Sequence, residues 1–387
     1  MADDINLQTT SKKGKKVFII GAGLSGLVCG MRLARAGFEV NISEQLTYPG
    51  GQLSYNRIGR EYLETNPHHL RRSDKALLAL CRELGINDSI EWFDSFWHGR
   101  ASRKKLGYFE GGFNTLISRL TNEITELGGT IGYSATVAEI TRNPNYANSN
   151  NTANEPEFIV SCVLNNSSKM DFFADYVICA TSCRNFINVS NSLPIGIDIR
   201  DQLMDIKYSA EISLMMVLKT KPSEVYFQKA LSSLPFNRIV NHTTCFGERN
   251  YEGHVVYLVG DCSVSDSLWI ESDAKIKDLY FDSYRKLFPS VTRNDIKAWR
   301  LKKNRYTYST HFPVSSLISP IENCYICSSA LRLESEVPPP SNKSASLTAK
   351  KPTPENRMDI CVNIANKICN MIIESDKGVS INESKQE

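Results

Sequence analysis

No apolar run in this 387-residue chain approaches the ~18 residues needed to cross a bilayer, so no membrane-spanning helix is expected. An excess of charge is also missing. Forty-five Lys and Arg against 42 Asp and Glu leave a net +3, without the clustered basic runs of a nucleic-acid footprint. The one basic stretch near the start, Lys12-Lys13-Gly14-Lys15-Lys16, reads as a solvated lead-in to a strand. The opening residues lack the apolar core of a signal peptide. Histidine is scarce: there are six, with no His-x-x-x-His or Cys/His ligand spacing, so no metal site is expected. Nucleophile elbow, phosphate-loop lysine and internal repeat are all absent. The eleven cysteines are odd in number and follow no disulfide framework, which fits reduced thiols in a cytoplasmic protein. Cys324-Tyr325-Ile326-Cys327 lies in an apparent strand, where residues three apart face opposite ways, and reads as two packed thiols rather than a redox pair or half a zinc site.

What is present is concentrated in residues 15–51. Val17-Phe18-Ile19-Ile20 is an apolar, β-branched run suited to a buried parallel strand. Gly21-Ala22-Gly23-Leu24-Ser25-Gly26 follows it and opens a helix that Gly37 ends. Gly21 suits the tight turn, Gly23 lets backbone approach a pyrophosphate, and Gly26 lets helix and strand pack closely. The helix N-terminus, with its unpaired N–H groups, favours an anion. A second strand follows, and Glu44 stands 23 residues after Gly21, where an acid accepts hydrogen bonds from ribose hydroxyls and repels a 2′-phosphate. This is a dinucleotide-binding unit. The glycine pair Gly50-Gly51 after the acid points to FAD rather than a nicotinamide.

Further along, apolar spacing predicts helices over 73–84, 113–127, 272–288 and 359–373. Strands are expected at 130–133, 136–140, 158–164, 176–180, 211–219, 255–259 and 324–327, and His242 and His254 are also read as strand residues of the second domain with structural rather than catalytic roles. Residues 143–157 read as a polar loop. The 41% hydrophobic content is enough for two domain cores.

Gly21-Ala22-Gly23-Leu24-Ser25-Gly26-Leu27, with Glu44-Gln45 and Gly50-Gly51, resembles the amine oxidase and protoporphyrinogen oxidase superfamily of flavoproteins. Phytoene-type desaturases and, more distantly, UDP-galactopyranose mutase belong to it. Within a protoporphyrinogen-oxidase-like branch the likeness continues through Glu64-Thr65-Asn66-Pro67-His68-His69-Leu70, Gly107-Tyr108-Phe109-Glu110-Gly111-Gly112-Phe113, His242-Thr243-Thr244, His254-Val255-Val256-Tyr257 and Pro354-Glu355-Asn356-Arg357-Met358-Asp359. It spans most of 15–373.

The resemblance implies an α/β fold: a discontinuous Rossmann-type FAD-binding domain (15–65, 105–189 and 315–376) with a second α+β substrate domain (66–104 and 190–314). A disordered arm (1–14), a mobile insertion (334–353) and a polar tail (377–387) complete the expected layout. It implies that Gly21, Ala22, Gly23, Leu24, Ser25 and Gly26 cradle the pyrophosphate, with Glu44 and Gln45 at the adenosine ribose. Val137 would offer its backbone to adenine. Gly51, Gln52, Leu53 and Ser328 would follow the phosphates and ribityl chain, and Met358, Asp359 and Ile360 would bring a helix N-terminus to the flavin ring. Asp359 also reads as a cap for that helix. His68 and His69 are candidate proton carriers, or a pair of hydrogen-bonded structural histidines. Arg71 and Arg72 read as an anion pair or a solvated face, and Tyr306 and Tyr308 as pocket lining or core.

Two departures stand out. Many members carry arginine where this chain has Gln52, and Gly-Asp where it has Ser328-Ser329. The function implied is an FAD-dependent oxidoreductase acting on a small molecule. A non-redox nucleotide-sugar mutase and a degenerate flavin-binding protein are the alternatives.

Overall fold

The computed structural model describes residues 14–97, 104–146, 155–165, 167–309, 315–331 and 357–383. The arm up to residue 13, the middle of the 143–157 loop, the 334–353 insertion, the segment Pro354-Glu355-Asn356 and the last four residues lie outside these.

A five-stranded parallel sheet runs in the order Cys324–Ile326, Tyr176–Cys179, Lys16–Ile20, Glu39–Ser43, Thr130–Gly132. Its central strand is covered on both faces, which is why Val17 to Ile20 is continuously apolar rather than alternating. The helix Leu24–Arg35 packs on this sheet, on the helix Asn114–Glu126 and on the last helix, Arg357–Glu383. It is therefore buried almost all round, not on one face. Gly30 makes the closeness possible, since a Cβ there would stand 2.7 Å from the Ile42 Cδ1 atom. Gly37, at φ +90°, ends the helix as expected.

A second sheet is antiparallel, in the order Phe227–Lys229, Arg238–Asn241, His254–Cys262, Tyr208–Leu218, Ile296–Ser309. Along Tyr208–Leu218, Ile212, Leu214, Met216 and Leu218 pack outward against Ile276, Tyr280, Phe281 and Tyr284 of the helix Asp273–Leu287. Met215 and Val217 pack inward, into the core shared with the parallel sheet. Ser213 lies on the same inward face, and its hydroxyl donates to the Thr65 carbonyl at 3.2 Å. The inner face of this sheet thus looks onto the glycine turn.

Two expectations are corrected. His242 is not in a strand: the chain leaves Arg238–Asn241 and turns into a short helix, His242–Phe246, where the Thr243 hydroxyl takes the Val255 N–H in place of a ladder bond. The last helix does not end at residue 373 but continues to Glu383. Gly378 costs a helix only about 1 kcal/mol. The preceding turns are locked by buried Ile360, Val362, Ile364, Ala365, Ile368, Cys369 and Ile372.

Candidate functional site

The glycine turn is built by contacts that admit no side chain. A Cβ on Gly26 would sit 1.9 Å from the Gly21 carbonyl oxygen, and one on Gly21 (φ +100°) 2.8 Å from the Thr181 Cγ2 atom. The Gly50 N–H donates to the Ala22 carbonyl at 2.8 Å, which lays the second glycine pair against the first. A Cβ on Gly51 (φ +59°) would stand 3.1 Å from the Gly23 Cα. The result is a wall of bare backbone at the start of the first helix, whose Ncap, Gly23, supplies no side-chain cap. No acid stands in that first turn to compete with an anion.

Glu44 is fixed beside it. One carboxylate oxygen accepts the Ala22 N–H at 2.9 Å and the other the Leu46 N–H at 2.9 Å. Only 6% of the residue is exposed. It lines two cavities that meet along Gly21, Glu44, Gln45 and Thr181. The smaller, about 290 Å³, is closed by Val137 and its neighbours Thr136 and Ala138. The larger, about 710 Å³, runs past Gly23, Leu24, Ser25, Gly51, Gln52 and Leu53 to Ser328, Met358 and Ile360, with the inner face of the antiparallel sheet opposite. Ala22 and Gly26 stand behind this lining, the first as a donor to Glu44 and the second as the close contact with Gly21. Asp359 points elsewhere: its carboxylate accepts the Leu77 N–H at 2.9 Å, tying the last helix to the helix Lys75–Glu83.

The two histidines part company. His68 lines the large cavity, with Nδ1 at 2.9 Å from the Asn66 carbonyl oxygen. That oxygen only accepts, so Nδ1 carries the proton and Nε2 keeps its lone pair. Loss of hydration, then the nearby Arg357 charge, pull its pKa down to about 4. His69 turns away into an aromatic cluster: Nδ1 lies 2.9 Å from the Tyr226 hydroxyl, and the ring meets Trp97 edge-on. Burial, with the Arg71 charge next, pulls it to about 3. Arg72 lies over the Trp92 ring at 3.8 Å. Neither Arg71 nor Arg72 lines the cavity, so the anion pair read from the sequence is not at the site. Tyr306 does line it. The Tyr308 side chain is outside the described residues.

Sequence reasoning missed Arg357 as a site residue. It lines the large cavity and donates to the Gln52 carboxamide oxygen at 3.3 Å, while the Gln52 amide donates to the Tyr306 carbonyl at 2.7 Å. A guanidinium from the last helix thus stands beside Gln52, where many members of the superfamily have arginine in the glycine segment itself. Also missed was Glu64. It is fully buried outside the cavity, accepts the Tyr108 hydroxyl and the Phe113 N–H at 2.6 Å each, and is pushed by burial to about 7.

Fold and cleft together define a Rossmann-type dinucleotide-binding protein, and residues 19–84 match the NAD(P)-binding Rossmann-like domain. Residues 91–330, well over half of the chain, match flavin containing amine oxidoreductase. The chain belongs to that family, whose cofactor is a flavin.

Solved structures agree on the fold. A protein assigned as a protoporphyrinogen oxidase from Exiguobacterium sp. 255-15 superposes with a TM-score of 0.70 at 11% identity, over 93% of this chain and 99% of that one. A redesigned putrescine oxidase gives a TM-score of 0.63 at 12% identity, over 94% and 99%. An oxidoreductase from Methanosarcina mazei gives 0.56 at 13%, over 80% and 94%. In sequence, the chain is 32% identical over 106 residues to an L-amino-acid oxidase of Bothrops jararacussu, a match covering 26% of this chain and about a fifth (21%) of that enzyme.

Among the described residues no group of His, Cys, Asp and Glu is arranged to hold a metal, and no helix is long and apolar enough to cross a membrane. All eleven cysteines are free, and the Sγ atoms of Cys327 and Cys29 lie 3.8 Å apart in the core.

Proposed function

We propose that this protein is an FAD-dependent oxidoreductase that takes a hydride from a C–H or C–N bond of a small molecule and passes the electrons to oxygen or another acceptor. The observation that carries this reading is the unbroken lining from Val137 and Glu44, past the bare backbone of Gly21, Gly23 and Gly51, to Met358 and Ile360. Only an extended dinucleotide uses both ends of such a path. A mononucleotide flavin would leave the Glu44 end empty.

The residues present fit that group. Gly21 and Gly26 admit no Cβ, Gly23 and Gly51 leave backbone bare, and Glu44, held rigid by two backbone N–H groups, is assigned to the ribose. Val137 is assigned to adenine, Gln52 and Ser328 to the ribityl end, and Arg357 to a phosphate. The N-terminus of Arg357–Glu383 is assigned to the ring, where its dipole favours developing negative charge. The bound flavin would supply the redox chemistry, while the protein orients the substrate and tunes the field. His68, neutral at physiological pH with its Nε2 lone pair available, is the group assigned to accept a substrate proton. His69, held on Tyr226, is assigned a structural role.

The chain is read as an FAD-binding domain of 15–65, 105–189 and 315–376 enclosing a substrate domain of 66–104 and 190–314. Its unpaired thiols support a cytoplasmic location.

The test is to purify the protein, record its visible spectrum and identify the nucleotide released on denaturation. A flavin spectrum, stoichiometric FAD and anaerobic bleaching by a reducing substrate are expected. A folded, colourless protein that refuses added FAD would overturn the proposal.

A further inference from the structure

The large cavity carries an unusual balance of charge. Its lining includes five cations (Arg238, Lys302, Lys303, Arg305 and Arg357) against two carboxylates, Glu44 and Glu211. Glu44 already holds two backbone N–H groups, and Glu211 is ion-paired to Arg238 at 2.7 Å. Strand register sorts the rest. Lys302 pairs with Ser213 and Asn304 with Glu211, and the Ser213 hydroxyl reaches inward to the Thr65 carbonyl. Residues i and i+2 of a strand share a face, so Lys302 and Asn304 both look into the cavity, roughly 7 Å apart along the strand. Lys303 pairs with Ile212 and faces outward, where its ammonium donates to the Glu271 carbonyl at 2.6 Å.

Among the described residues, Lys302 has no carboxylate within ion-pair distance. The buried Asn304 Nδ2 has no hydrogen-bond acceptor. An unpaired cation and an orphaned amide donor on one face of one strand suit an acceptor of negative charge. A cationic amine would meet no uncommitted carboxylate on this wall.

We propose that Lys302 and Asn304 form the anion-holding half of the substrate site, and that the substrate carries a carboxylate. This rests on the flavin reading above. Lys302 supplies the charge, Asn304 the directional donor, and the Glu211–Arg238 pair closes the neighbouring position against a substrate ammonium.

The experiment titrates the FAD-loaded protein with benzoate, benzamide and benzylamine, following the flavin spectrum and the heat of binding. Benzoate is expected to bind at least about tenfold tighter than either analogue. Lys302→Gln should weaken benzoate by about tenfold or more with FAD content unchanged, Lys302→Arg should restore most of it, and Asn304→Leu should weaken it less. Equal binding of benzoate and benzylamine, or unaltered benzoate affinity in Lys302→Gln with normal folding and full FAD, would overturn the assignment and leave the flavin reading intact. Colourless protein would remove both.

Discussion

Replacing Glu44 with glutamine keeps the side chain's shape and removes its ability to accept at both ends. Its two oxygens take the Ala22 and Leu46 N–H groups at 2.9 Å each, stapling the glycine turn to the end of the second strand. Glutamine offers one oxygen and one NH2, so one backbone N–H must face another donor. Two bonds to a charged acceptor, about 1.5–3 kcal/mol each, become one neutral bond of about 1 kcal/mol and one unsatisfied buried donor. The expected net loss is about 2–5 kcal/mol, a fall of roughly 2–6 °C in Tm for a chain of this length. The loss should also be local: Ala22 lies between the two glycines of the turn, so the nucleotide wall loosens first. Thermal unfolding and the FAD retained per mole after gel filtration would be measured together. FAD retention should fall more than stability predicts, and added FAD should restore less Tm in the variant than in the parent. A variant with parental Tm and full FAD would refute the claim that Glu44 organises the turn.

Other outcomes follow from groups already described. Gly51→Ala places an L side chain at φ +59° and 3.1 Å from the Gly23 Cα; a loss of about 1–2 kcal/mol in chemical unfolding and reduced FAD occupancy are expected. Glu64, raised to about 7 by burial, holds its proton in the folded state while the unfolded carboxyl releases it near pH 4.5. It therefore makes stability fall as pH rises from about 4.5 to 7, by about 3 kcal/mol, and Glu64→Gln should remove that segment from the difference between the two pH–stability curves. His68, His69 and His242 are drawn down to about 4, 3 and 3, so their stabilising effect is complete above pH 6.5 and fades as pH drops through those values. Their NMR imidazole signals should hold the neutral position down to pH 5; titration near 6.5 would contradict their enclosure.

The first βαβ unit was legible because its signals are local. Positive φ at Gly21 and Gly37, the crowding at Gly26 and the acid at Glu44 each leave a residue type at a fixed offset, and all agree. The antiparallel sheet was legible in part. Along 211–219 apolar residues occupy both faces, since one packs on the helix Asp273–Leu287 and the other on the shared core. The inward face of Ile296–Ser309 was not legible, because lysines and arginines sit on both sides and only pairing with Ser213 and Glu211 decides which way Lys302 looks. Arg357 was hidden for another reason: its partner Gln52 is 305 positions away, and no local pattern announces a charge delivered from so far. The adjacent histidines looked equivalent in one dimension. The fold separates them by pointing one at the cavity and the other at Tyr226.

The strand Cys324–Ile326 and the helix Arg357–Glu383 complete a pocket that begins at Gly21. During translation at ~5–20 residues per second, roughly 20–70 s separate emergence of the glycine turn from emergence of Arg357. Through that interval the turn has no opposing helix, and the flank of Leu24–Arg35 that will meet the last helix, where the Cys369 thiol reaches the Cys29 carbonyl, has no partner. If the last helix is needed to hold the flavin, loading is expected only after synthesis is complete. A nascent chain stalled before residue 357 should be held by chaperones without flavin, however well its opening βαβ unit has formed.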